Sequence, residues 1–119
     1  MPPYRSHQIV YLQTESNRLY AEVIQAIASR QMLWVRPLLL EIASQSQVYD
    51  LRQTSDLVWP QTLFQPALDT EAIPVLTQLQ SLERKFQPHA IARQQLHIFL
   101  HQCWQAQQFN EPSSPSLTN

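Results

Sequence analysis

Five side chains have the types to build a binding surface: Trp34, Arg36, Asp50, Arg52 and Trp59. Tryptophan and arginine dominate the energetics of protein–protein contacts, because each buries a large surface and still offers hydrogen-bond donors. Asp50, Arg52 and Asp56 bracket a short segment with Trp59 behind it, and Arg36 can approach from a neighbouring strand. The competing structural reading makes the charges salt bridges, Arg36–Asp50 or Arg52–Asp56, tying an irregular loop to a sheet; such pairs are common and individually weak. Catalysis by Asp50 and Asp56 would need a cleft and pKa values pushed apart, and no sequence feature points to either.

His97 and His101 stand four residues apart, the spacing that can present two imidazoles to one metal, with His89 and Cys103 nearby. Cys103 projects away from that pair toward an apolar stripe, and no carboxylate sits one turn away to complete a ligand set. The pair therefore reads as solvated or capping histidines, Cys103 as a small buried apolar side chain, and no metal or cofactor is expected. Tyr11, Tyr20, Trp34 and Arg18 could form an aromatic–basic platform for single-stranded nucleic acid. In a lysine-poor, nearly neutral chain they read instead as hairpin core and edge.

The composition narrows the field further. The 119 residues suit one domain, and 18 glutamines take much of the surface that charges would normally fill. A net charge of -1 and a single lysine, Lys85, provide no field toward phosphates or anionic membranes. One cysteine excludes an internal disulfide and suits a reducing compartment. No signal core opens the chain, and Arg36 and Pro37 interrupt its most apolar run, so a cytoplasmic protein without a transmembrane segment is expected. There is no glycine. Phosphate-cradling loops, dinucleotide turns and the serine elbow of hydrolases all need backbone without a Cβ, and none can be built here in its usual form.

The elements that must position these residues follow from patterning. Residues 7–13, "HQIVYLQ", read as a strand, and "TESN" as a turn with Asn17 the candidate for left-handed backbone. Residues 18–28 fit either a helix capped by Ser16 or a strand. Pro37 inside a helix running on to Leu40 would cost about 3 kcal/mol, so 31–36 reads as a strand, paired with 19–27 across "ASR". Met32, Trp34 and Arg36 then share one face, Leu33 and Val35 the other. Pro37 ends that strand or sits at a bulge. After the polar turn "SQSQ", residues 48–52 make a further strand, and 53–69 an irregular connection punctuated by Pro60 and Pro66. From Asp69 or Thr70 as cap, with Pro74 in the first turn, Ile73, Leu76, Leu79, Leu82 and Phe86 mark a helix. Pro88 opens a second, with Ala92, Leu96, Phe99, Leu100 and Cys103 on one stripe.

The runs "LYAEVIQ", "LWVRPL", "YDLR", "SDLVWP" and "LFQPALDTE" resemble a group of small uncharacterised cyanobacterial proteins over roughly residues 8 to 75. The resemblance implies a lineage and no established activity, and it favours the strand reading of 19–27.

The expectation is a single α+β domain over 1–108, with a small antiparallel sheet of three to four strands packed with a C-terminal helical hairpin, and a disordered tail over 109–119. The expected role is a non-enzymatic accessory or interaction protein with a protein partner, acting on a larger cytoplasmic or thylakoid-associated complex of a cyanobacterium. A nucleic-acid-binding regulator is the second reading.

Overall fold

The ambiguous segment after the first turn is a strand. In the computed structural model, which describes residues 4–83 and 88–109, β1 (Ile9–Thr14), β2 (Asn17–Ile27), β3 (Met32–Ile42), β4 (Gln47–Asp50), β5 (Leu57–Pro60) and β6 (Gln65–Pro66) form one antiparallel sheet. Two helices follow, α1 (Asp69–Leu82) and α2 (His89–Phe109). The architecture is α+β as expected, with six strands rather than three or four. The strand order is β4-β3-β2-β1-β6, and β5 shares the outer edge of β3 with β4. The stretch 53–69, expected to be irregular, supplies both β5 and β6. The segment expected to be a tail, apart from Phe109, lies outside the described residues, as does Phe86.

Proline explains much of this layout. β3 does not end at Arg36 but runs through Pro37, which sits beside a β-bulge: Tyr20 pairs with Leu39 and Ala21 with Pro37, leaving Leu38 as the extra residue. The bulge resets the alternation of β3. Leu33 and Val35 face the same side as Leu40 and Ile42, while Leu38 and Leu39 both face the other. Without the extra residue, Leu40 and Ile42 would be turned out of the core they share with Leu33. Along the outer edge of β3, pairing with β5 stops at Val35 and pairing with β4 resumes at Leu39, so Pro37 falls in the gap between partners. Pro60 and Pro66 follow a similar logic. Gln61 N–H donates to Gln31 O and Ala67 N–H to Ile9 O. Hydrogen-bond direction alternates along a strand, so the two prolines aim their donorless nitrogens away from the sheet.

The turns show how a glycine-free chain manages left-handed backbone. Ile27–Gln31 ("IASRQ") and Ile42–Ser46 ("IASQS") are one motif used twice, a short repeat not evident from composition or periodicity. In each, a 3₁₀ turn ends on a residue with positive φ, Gln31 at 55° and Ser46 at 50°, whose N–H returns to the alanine carbonyl. The β1–β2 turn places Glu15, not Asn17, at positive φ (54°). Asn17 instead begins β2, and its Oδ1 accepts from Ala43 N–H.

The helices pack on opposite faces of the sheet. Ala92, Leu96 and Phe99 of α2 join the larger core with Val10, Leu12, Leu19, Val23, Leu33, Val35 and Leu40. Val75 and Leu79 of α1 pack with Tyr11, Tyr20, Leu38 and Leu39. Each fully buried leucine, valine or phenylalanine contributes about 1.5–3 kcal/mol of transfer free energy. Of the expected stripe of α1, Leu79 is buried and Leu82 packs beside it, but Ile73 and Leu76 are exposed and Val75 takes the buried position one turn before Leu79. Its cap is also different. Leu68 occupies the N-cap, and Glu71 reaches back to accept the Leu68 N–H. Pro74 lies in the second turn, beyond the first where it would be tolerated freely.

Candidate functional site

Alternation along β3 puts Trp34 and Arg36 on the α1 side of the sheet, opposite Leu33 and Val35. The segment leading into β5 brings Asp56 to them. Asp56 Oδ2 accepts from Trp34 Nε1 at 2.9 Å, and the Arg36 guanidinium donates to both its oxygens, at 3.1 and 3.4 Å. The Arg36 hydrogen bond holds the Asp56 carboxyl below its ordinary range; partial burial opposes this, and the Trp34 bond adds to it. Arg36 lies directly across from Glu22, whose Oε2 is 2.8 Å from His7 Nδ1. Val58, across from Trp34, is 49% exposed. His7, Glu22, Arg36, Asp56 and Trp34 thus form a polar row over one half of the sheet face. The side chains of α1 buried on the sheet cover the other half, over Tyr11, Tyr20, Leu38 and Leu39.

The remaining candidates lie elsewhere, and the expected charge pairs exchange partners. Arg52 pairs with Asp50 rather than Asp56, through Nε at 2.9 Å and Nη2 at 2.6 Å. Burial works against the charged form of Asp50, and the Arg52 side-chain and backbone hydrogen bonds more than offset it, so its pKa is lowered. The same guanidinium reaches Leu79 O at 3.3 Å and Glu83 at 3.1 Å. It therefore sits at the negative dipole end of α1, which favours a cation, and adds a second donor to the Leu79 carbonyl that already accepts the Glu83 N–H. Asp50 and Arg52 lock α1 to the sheet.

Trp59 pairs with Leu33 and faces the α2 side, opposite to Trp34. Its ring meets Trp104 edge-on at 5.8 Å. Beside it, Leu12, Leu63, Gln65, Cys103 and Ala106 line a half-open cleft of about 260 Å³. Burial pushes the Cys103 thiol up to about 11, which removes thiolate character at neutral pH and agrees with a packing role. Tyr11 and Tyr20 are buried, and Arg18 stacks 4.1 Å over the Tyr11 ring while donating to Tyr20 and Glu71. That guanidinium ties α1 to the sheet.

Sequence reasoning singled out Trp34 and Arg36 and placed Asp56 in the same patch, but paired Asp56 with Arg52 and missed that it holds Trp34 and Arg36. The signal was available in "SDLVWP", an acid just ahead of a short apolar run that enters the sheet, but Pro60 argued against a strand. Comparison of the chain with family models, curated proteins and solved structures finds no match. Among the described residues, no helix is long and apolar enough to cross a membrane, and no group of three or more His, Cys, Asp or Glu could hold a metal ion.

Proposed function

We propose that the chain is a non-enzymatic accessory protein that docks another protein on the open half of its sheet face, around Trp34, Arg36 and Asp56. The observation that carries this reading is the single carboxylate that fixes both side chains. Trp34 and Arg36 are the residue types that dominate interface energetics, and Asp56 holds them in place before a partner arrives, which lowers the ordering cost of binding. Exposed Val58 extends the patch with apolar surface, and the charged row supplies a polar rim. Strand addition is the less favoured route, because Pro60 and Pro66 break the donor pattern of the β5 and β6 edges. The resemblance to small cyanobacterial proteins supplies a lineage only; within it, the partner proposed is a component of a larger cytoplasmic or thylakoid-associated complex.

The test is capture of the tagged chain from its own host with nuclease treatment, comparing wild type with Arg36→Ala and Val58→Arg. A partner retained by wild type and lost by both variants supports the surface. A partner bound equally by all three forms would place the interface elsewhere. Capture that disappears with nuclease alone would replace this reading with nucleic-acid binding.

A further inference from the structure

From the arrangement of α2 we infer a surface metal site: His97 and His101 form a two-imidazole chelate for a borderline transition-metal cation such as Ni²⁺, Cu²⁺ or Zn²⁺. Both side chains lie on the exposed side of α2, away from the stripe of Ala92, Leu96 and Phe99 that packs on the sheet. Residues four apart on a helix stand one above the other, with Cβ atoms about 5–6 Å apart, within reach of a shared ion for two imidazoles. Neither imidazole has a hydrogen-bond or ion-pair partner among the described residues, so chelation breaks no interaction there.

Solvation and chelation are not competing fates for such a pair. Exposed imidazoles on a helix anchored by Leu96 and Phe99 are already arranged, and the second ligand closes at high effective concentration. The chemistry of the donors selects the ion. α2 carries no Asp or Glu, so a hard cation that seeks carboxylate oxygen finds nothing there, whereas imidazole nitrogen suits copper, nickel and zinc. Two protein ligands leave positions open, which water or a donor from another molecule fills. Arg93, one turn before His97, places a positive charge beside the site and limits its affinity. The arrangement is a docking point for a metal ion rather than a closed structural centre, which would need four ligands.

Calorimetric titration of the full chain, free of any histidine tag, with Ni²⁺ and separately Zn²⁺ tests the assignment. Wild type is expected to bind one ion per chain, and His97→Ala and His101→Ala to weaken binding by about tenfold or more, as loss of one of two chelating groups requires. His89→Ala serves as the control, because His89 lies two turns from His97, and it should bind as wild type does. The exposed positions leave folding intact, which circular dichroism verifies. No binding by wild type, or undiminished binding in either His97→Ala or His101→Ala, overturns the site. Loss of binding in Cys103→Ala alone would also overturn it, by moving the ion to the thiol.

Discussion

Trp34 Nε1 donates to Asp56 Oδ2 at 2.9 Å, across 22 residues of sequence. That bond joins the first half of β3 to the lead-in of β5, and Arg36 closes on the same carboxylate. A half-buried indole is thereby kept from collapsing onto the sheet, beside an exposed guanidinium and an exposed valine. The relationship is structural, and on the proposed function it also prepares the docking surface; substitutions at Asp56 separate the two.

Asp56→Ala removes the acceptor for Trp34 and the counter-charge for Arg36. The expected loss of stability is modest, about 1 kcal/mol, because the site is largely solvated. The expected loss of partner affinity is larger than that of stability. Asp56→Asn keeps an acceptor for the indole and should fall between the two. Chemical denaturation alongside a binding titration reads both quantities.

Arg52→Ala should behave in the opposite way. Arg52 bonds Asp50, Glu83 and the Leu79 carbonyl, so its removal frees the C-terminal end of α1 from the sheet. A loss of about 1–2 kcal/mol is expected, the range for hydrogen bonds to charged groups at a partly exposed site. Partner binding by the molecules that remain folded should be unchanged. Equal loss of affinity in Arg52→Ala and Asp56→Ala would mean that Asp50 and Arg52 belong to the interface.

The pH dependence follows from Asp50 and Asp56, both with pKa lowered in the folded state. A carboxyl so shifted binds protons more readily when unfolded. Its stabilising contribution is therefore complete above the unfolded value of about 3.9 and is lost as pH falls through the lower folded value. Denaturation midpoints should be insensitive to these groups between pH 7 and 5 and fall in stronger acid. The Asp50→Asn, Asp56→Asn double variant should show a flatter acid limb. An acid limb of unchanged steepness in that variant would contradict the assignment.

The two IAS turns offer a backbone test. Left-handed backbone costs a residue with a Cβ about 1–2 kcal/mol, and the unfolded-state entropy of glycine offsets about 0.5–1 kcal/mol of the gain on replacement. Gln31→Gly and Ser46→Gly, both at exposed sites with positive φ, should each stabilise the fold by roughly 0.5–1 kcal/mol. Thermal or denaturant midpoints measure it.

Much of the fold was legible because its signals are local. Pro37 argued against one long helix, "ASR" and "SQSQ" marked hairpin turns, and the alternation of Leu33 and Val35 against Trp34 and Arg36 gave their faces correctly. What was not legible depends on relations between distant segments. The exchange of partners between Arg36 and Arg52 follows from β4 and β5 dividing one edge of β3, and no local pattern states which half each takes. β5 and β6 were hidden because Pro60 and Pro66 look like strand breakers, and only the pairing geometry shows that their nitrogens point away from any partner. Trp59 was grouped with Trp34 by composition, yet pairing with Leu33 sends it through to the other face. The second half of the α1 stripe, Leu79 and Leu82, was read correctly, but its first half was not: Ile73 and Leu76 are apolar yet exposed, and periodicity cannot distinguish an apolar residue that packs from one that does not.

The central claim is that a protein partner covers the sheet face around Trp34. A photo-crosslinking residue in place of Val58, compared with one at Gln102 on the outer side of α2, tests it inside the host cell. A discrete crosslinked species from position 58, absent from position 102 and lost when Arg36→Ala is added, is the predicted result. No crosslink from position 58, or the same species from both positions, would contradict it.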